Sequence, residues 1–179
     1  MKMMKDCFSR LLHQRRSIRK YKDTPITDEQ VKALLQAPLM APSSKRCMCW
    51  EFIAVRDAAL REQLGAVRAN NSAFAAKAPL IVVVAADTAK TDVWVEDASI
   101  AAAYLQLQVE VLGLGSCWVQ VRNRQTSETQ SSEAYVRQVL NLPENYGVLC
   151  LIAIGEKDEE KPAFDDARTK WEKIHYDRF

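Results

Sequence analysis

A chain of 179 residues has enough length to bury a sizeable core in a single domain, roughly 70% of its unfolded surface. Its 48% hydrophobic and 27% charged residues match an ordinary globular composition rather than a disordered one. A net charge of +2 excludes a broadly cationic nucleic-acid surface, and the longest apolar run, residues 80–86, is far shorter than the ~20 residues that span a bilayer.

The positive charge is concentrated at the start, where eight Lys/Arg within the first 22 residues face one acid, Asp6. Asp6 interrupts this stretch, which therefore reads as part of the domain rather than a transit peptide. A helix is predicted over residues 4–13, with Phe8, Leu11 and Leu12 on its apolar face. Directly after it stands Arg15-Arg16-Ser17-Ile18-Arg19, three guanidiniums and a hydroxyl within five residues. Guanidinium is permanently charged and presents a planar fork of donors, so this cluster suits one small dianionic group such as a phosphate. A solvated basic turn is the alternative.

Thr27 and Gln30 form a capping box that starts a second helix, with Val31, Leu34 and Leu35 inward and an end expected before Pro38. Ala41-Pro42-Ser43-Ser44-Lys45-Arg46 is a loop by composition, and residues 50–55 read as a strand. Helices are predicted over residues 57–68 and 72–77. Residues 80–86 are apolar at nearly every position, the pattern of a strand buried on both faces. The longest helix, residues 93–112, is apolar almost all round, which points to a second subunit covering one side. Gly113-Leu114-Gly115 ends it, followed by a strand over 116–121, a helix over 133–140 and a last strand over 148–154. The tail, about residues 156–179, is charged with scattered aromatics (Phe164, Trp171, Tyr176, Phe179) and is expected to pack across a neighbour.

Five cysteines, an odd number without a secretory segment, read as reduced thiols of a cytoplasmic protein. Cys47 and Cys49 with Cys117 offer three soft ligands, but no fourth Cys or His stands at a helpful spacing, so no metal site is expected. Asp87, Asp92, Glu96 and Asp97 read as a solvated loop and helix start rather than an acid/base cluster.

The segment Arg15-Arg16-Ser17-Ile18-Arg19-Lys20-Tyr21 resembles the N-terminal signature of the nitroreductase family of FMN-dependent oxidoreductases. Three further blocks resemble that family in order and spacing: Ala41-Pro42-Ser43-Ser44-Lys45 leading into Trp50-Glu51-Phe52-Ile53, Gly113-Leu114-Gly115-Ser116-Cys117-Trp118, and Ala153-Ile154-Gly155-Glu156 followed by Lys161-Pro162. The resemblance implies an α+β, three-layer fold with a mainly antiparallel central sheet flanked by helices. It implies one domain over residues 1–179, and a homodimer with two shared FMN sites and the tail laid across the partner. It further implies ping-pong transfer from NAD(P)H, through flavin N5, to a small electrophilic acceptor such as a nitroaromatic or quinone, with no nucleic-acid or membrane partner.

By matched position, Arg15, Arg16, Ser17 and Arg19 would hold the phosphate, ribityl and pyrimidine edge of FMN. Ser43, Ser44, Lys45 and Arg46 would line the flavin edge, and Gly115 and Ser116 would bring the main chain toward N5. Lys173, or Arg168, would complete the phosphate site from the tail. The family usually places an asparagine where Arg46 stands, and a Gln or Arg where Met48 stands. That departure motivates a second reading, a flavin-binding or flavin-storage protein without reductase turnover.

Overall fold

The computed structural model describes residues 2–179, with side chains and burial from residue 7 onward. Helix α1 covers Lys2–Gln14 and α2 covers Asp28–Leu39, followed by β1 (Trp50–Val55), α3 (Ala58–Gly65), β2 (Leu80–Asp87), α4 (Trp94–Val111), β3 (Gly115–Gln120), α5 (Ser132–Leu140) and β4 (Tyr146–Gly155). The four strands form one antiparallel sheet in the order β1-β2-β4-β3. The last strand is thus inserted between β2 and β3, leaving β3 at an edge.

Why β2 and β4 are apolar at nearly every position is plain from the layers. Side chains alternate across a strand. Ile81, Val83, Leu151 and Ala153 point to one face, where Leu64 of α3 and Val136 of α5 cover them. Leu80, Val82, Val84, Ile152 and Ile154 point to the other, beneath Leu34 of α2 and Ala98, Ala102, Leu105 and Val109 of α4. Both faces are roofed, giving the three-layer α+β architecture expected from the sequence.

Helix starts follow their caps. The Thr27 hydroxyl accepts from the Gln30 amide at 3.2 Å while the Gln30 side chain accepts from the Thr27 amide at 2.9 Å. Asp57 and Ser131 cap α3 and α5 through the Leu60 and Ala134 amides. Pro38 departs from expectation, lying inside the last turn of α2. A proline removes one donor, and the chain closes the turn beyond it with 3₁₀-type bonds from Met40 to Ala37 and from Ala41 to Pro38. Helix α3 is shorter than predicted and ends at Gly65, which lies directly against Ala76, whose Cβ stands 2.8 Å from where a Gly65 side chain would begin.

Helix α4 is apolar all round, as read from the sequence, but only one side is covered within the chain. Ala101, Ala102, Leu105 and Val109 are buried, whereas Ile100, Tyr104 and Val111 are exposed at helical spacing. Beyond Gly155 the chain crosses over Tyr21 and then runs on as an exposed tail with single turns at Asp166–Arg168 and Trp171–Lys173.

The crossing is fixed by Tyr21, whose buried hydroxyl donates to the Ile18 carbonyl at 2.5 Å, with the Ala153 carbonyl at 3.2 Å. Tyr21→Phe is expected to lower stability by about 1 kcal/mol, since a buried acceptor loses its donor. Thermal unfolding should show that as a fall of about 2–4 °C. An unchanged midpoint would mean the hydroxyl contributes nothing to this corner.

Candidate functional site

The arginine segment is held against the start of β3. Ser17 pairs with Ser116 as a parallel bridge, and the Ile18 amide donates to the Ser116 carbonyl at 2.9 Å. A Cβ on Gly115 would lie 2.9 Å from the Ile18 side chain, so within this chain the glycine is required by the approach of the arginine segment. Ser116 is buried, and its hydroxyl is reached by Gln106 of α4 at 3.5 Å.

Positive charge converges at this point. Burial pushes the Cys117 thiol above its ordinary range, while Arg19, a hydrogen bond with Ser17, Lys161 and Arg15 pull it back. Ser17, flanked by Arg15 and close in sequence to Arg19, therefore stands beside Ser116 at the start of β3. Among the described residues no carboxylate lies within ion-pair distance of the Arg15 or Arg19 guanidinium. The Arg19 guanidinium instead lies 5.7 Å from the Phe74 ring centre. Glu159 accepts from the Arg19 and Lys20 amides and pairs with Lys161 at 3.5 Å, contacts that hold its carboxyl below the usual range. The nearest acid is thus spent on backbone donors and on Lys161. Arg16 differs from its neighbours, since its Nη1 donates to the Pro162 carbonyl at 2.9 Å and its side chain lines a cleft of about 580 Å³ with residues 157–161. The sequence marks Lys161 only as part of the Lys161-Pro162 exit block and not as a site residue, because nothing sets one lysine of a charged segment apart until the chain folds back.

The second group of expected residues lies elsewhere. Lys45 (φ 50°), Arg46 (φ 57°) and Met48 (φ 43°) all adopt left-handed backbone without a glycine, a conformation costing about 1–2 kcal/mol per residue. Asparagine tolerates this region best, so Arg46 keeps the backbone shape that suits the family's asparagine while changing the side chain. Asp97 holds the loop: its Oδ1 accepts from the Ser44 amide at 2.9 Å and its Oδ2 from the Cys47 thiol at 3.4 Å. Met48 N donates to the Ser43 hydroxyl at 3.2 Å. Asp97 is 4% exposed, which corrects the solvated reading given to it above. An acid in the first turn of a helix is favoured by the helix dipole wherever it points, so the sequence could not distinguish a buried loop anchor from a solvated one.

Ser17, between Arg15 and Arg19 in the chain, is brought to Gly115 and Ser116; Ser43, Ser44, Lys45 and Arg46 are held elsewhere on α4. The first group meets α4 at Gln106 and the second at Asp97, nine residues apart, or roughly 13 Å along the helix. Lys173 lies in the exposed turn Trp171–Lys173, and no described side-chain hydrogen bond or ion pair joins it to the arginines. Arg168 comes closer, lining a cavity of about 470 Å³ with Arg16, Phe164 and Lys170.

The tail is tied to α1 at His13. The Phe164 amide donates to the His13 carbonyl at 2.8 Å, and the ring nitrogens face the Ser9 carbonyl and Asp166 at 2.7 and 2.8 Å. Both partners are acceptors, so the doubly protonated ring satisfies both, and the His13 pKa is raised, first by Ser9 and then by Asp166. A raised folded-state pKa gives a stabilisation that is complete below the ordinary value of 6.5 and lost as pH rises through the raised one. Alkalinisation is therefore expected to loosen residues 164–168. Amide chemical shifts of Asp166 and Ala167 should follow the His13 titration and cease to do so in His13→Gln.

A family model described as the nitroreductase family matches residues 12–71 and 64–156, which include the arginine segment, the strained loop and the β3 start. The chain belongs to the nitroreductase family. A protein of Archaeoglobus fulgidus, provisionally named NADH dehydrogenase/NAD(P)H nitroreductase, is 31% identical over 187 residues, covering 98% of this nitroreductase and 100% of its own length. The structure of an FMN-dependent nitroreductase from Clostridium difficile superposes with a TM-score of 0.94 at 46% identity, over 96% of this chain and 99% of that one. The NADPH:FMN oxidoreductase of Vibrio harveyi, in complex with NAD⁺, superposes with a TM-score of 0.79 at 28% identity, over 94% of this chain and 76% of that one. Among the described residues, no helix of this nitroreductase is long and apolar enough to cross a membrane.

Proposed function

We propose that this nitroreductase is an FMN-dependent enzyme that oxidises NAD(P)H and reduces a small electrophilic acceptor, a nitroaromatic or quinone, by a ping-pong sequence. The observation that carries this reading is the pairing of Ser17 with Ser116, which sets the flanking Arg15 and Arg19 at the start of β3 with no carboxylate partner for either guanidinium among the described residues. That donor set fits the terminal phosphate of FMN: dianionic, many-acceptored and suited to forked donors. When bound, FMN supplies two-electron chemistry at its ring. Arg15, Ser17 and Arg19 would hold the phosphate and orient the group. Arg16 ties the exit segment in place through Pro162. Gly115 and Ser116 would present main chain toward the ring. The sequence has no separate dinucleotide fingerprint of G-x-G-x-x-G type. The resemblance to the family implies that donor and acceptor use one cleft in turn, which is the basis for the ping-pong order.

Completion of the site by a second copy is part of the proposal. Within one chain the Ser43–Arg46 loop and the arginine segment meet α4 nine residues apart, at Asp97 and Gln106, and an isologous dimer through α4 would bring the loop of one subunit to the arginines of the other. The exposed apolar residues Phe8, Leu12, Met40, Ile100, Tyr104 and Val111 supply a surface for such a contact. The tail, about residues 156–179, would lie across the partner, with Trp171 and Tyr176 covered there and Lys173 or Arg168 added to the phosphate site.

The test is the visible spectrum and flavin content of the purified protein, followed by steady-state oxidation of NADH and NADPH with a nitroaromatic or quinone acceptor. About one FMN per chain, turnover and parallel double-reciprocal lines are expected, with a dimer by light scattering. Bound FMN without turnover would favour flavin storage, the reading motivated by Arg46 and Met48. Failure to take up added FMN would remove both.

A further inference from the structure

We propose that Cys47, Cys49 and Asp97 form a binding site for one divalent cation of borderline-to-soft character, the Zn²⁺ class. Their ligand atoms, two sulfurs and a carboxylate oxygen, all lie within 4.8 Å of one another. Two thiolates with one carboxylate suit Zn²⁺ rather than Mg²⁺ or Ca²⁺, which prefer all-oxygen shells. Three protein ligands leave a fourth tetrahedral position for water. The sequence had set Cys117 beside this pair; the structure places Cys117 among the arginines and supplies Asp97 as the third donor instead.

A second observation points the same way. Asp97 is 4% exposed and Cys49 fully buried, yet no Lys, Arg or His nitrogen among the described residues lies within 4 Å of the carboxylate. Its partners are a backbone N–H and a thiol, whose S–H is a weak donor. Buried carboxylates are ordinarily paired with a cation or coordinated to one. Here the Ser44 amide orients Oδ1 and leaves Oδ2 facing the sulfurs, the arrangement in which an outer hydrogen bond aims a ligand oxygen. Met48, left-handed between the two cysteines and exposed, keeps that side of the loop open to solvent. On entry of the metal the two thiol protons leave to solvent; a +2 ion then sits among three negative ligands, with the exposed Lys45 and Arg46 side chains close by in sequence. The site goes beyond the flavin reading and does not depend on it. Its consequence would be a loop, Ser43 to Cys49, whose strained backbone is held from behind by coordination.

Co²⁺ titration of the reduced holoprotein tests this, in a Cys7→Ser background that removes an exposed competing thiol. The expected result is one equivalent per chain, with sulfur-to-cobalt charge transfer and visible bands to the red of flavin absorption, displaced stoichiometrically by Zn²⁺. Competition with a chromophoric chelator should show Zn²⁺ affinity falling at least tenfold in Cys47→Ser and in Asp97→Asn, with larger losses in a Cys47→Ser/Cys49→Ser pair. Cys47→Ser keeps a hydroxyl beside Asp97, so its unchanged melting temperature serves as the folding control. Absence of the cobalt bands in reduced protein, or their persistence in the double variant, would overturn the site whatever the flavin content.

Discussion

Leu151→Ala is expected to lower the unfolding free energy by about 2–5 kcal/mol, the range for removing a large aliphatic side chain from a rigid core. In a chain of this size the melting temperature should fall by roughly 5–15 °C. Leu151 is fully buried on β4, one of the two inner strands, opposite Val83 of β2 and Val119 of β3. Leu64 of α3 and Val136 of α5 belong to the same core layer. A strand bonded on both edges cannot shift to fill the cavity, so the cost belongs at the upper part of the range. The position also separates scaffold from site. Leu151 pairs with Val119, while the arginine segment meets β3 at Ser116, at the other end of the same pair of strands. Urea unfolding should thus show a large loss of stability with flavin stoichiometry retained. A midpoint within two degrees of the parent would mean that this face is not the packed core described here.

The strands were legible because burial on both faces leaves a local signature. β2 and β4 carry almost no polar residue, and only a fully sandwiched strand tolerates that composition. Thr27 with Gln30 and Asp57 were equally readable, because a cap acts within its own turn. Pro38 shows the limit of local rules, since a last-turn proline forfeits a single bond that the following turn replaces. The arginine segment and the Gly115-Ser116 block were visible as separate motifs through their resemblance to a known family, and the fold brings them together through one backbone bond between Ile18 and Ser116. What stayed hidden depends on tertiary placement. The burial of Asp97 and the withdrawal of Arg16 toward Pro162 are each set by chain crossings more than fifty residues apart in sequence. The separation of Ser43–Arg46 from the arginines is a property of the length of α4, which periodicity could have supplied only once both loops were known to touch it.

Arg15 and Arg16 are indistinguishable by sequence, and the structure ranks them apart. Arg15→Ala is expected to weaken FMN binding by about 10- to 100-fold, the loss of a charge-assisted contact worth ~1.5–3 kcal/mol. Arg15 adjoins Ser17, which pairs with Ser116 at the start of β3, and no described carboxylate pairs with its guanidinium. An anion there meets charge that is not already compensated. Arg16→Ala removes instead a hydrogen bond to the Pro162 carbonyl, so about 1 kcal/mol of stability is expected to go with FMN affinity changed less than ~3-fold. Arg15→Lys tests geometry against charge: the point charge survives and the fork does not, so an intermediate loss is expected. Titration of apo-protein with FMN, followed by flavin fluorescence, reads all three. The Arg15→Ala loss should shrink as ionic strength rises, because salt screens the contact in the parent. Equal losses for Arg15→Ala and Arg16→Ala would place the phosphate between the two arginines and toward the 157–161 cleft, and would move the site away from β3.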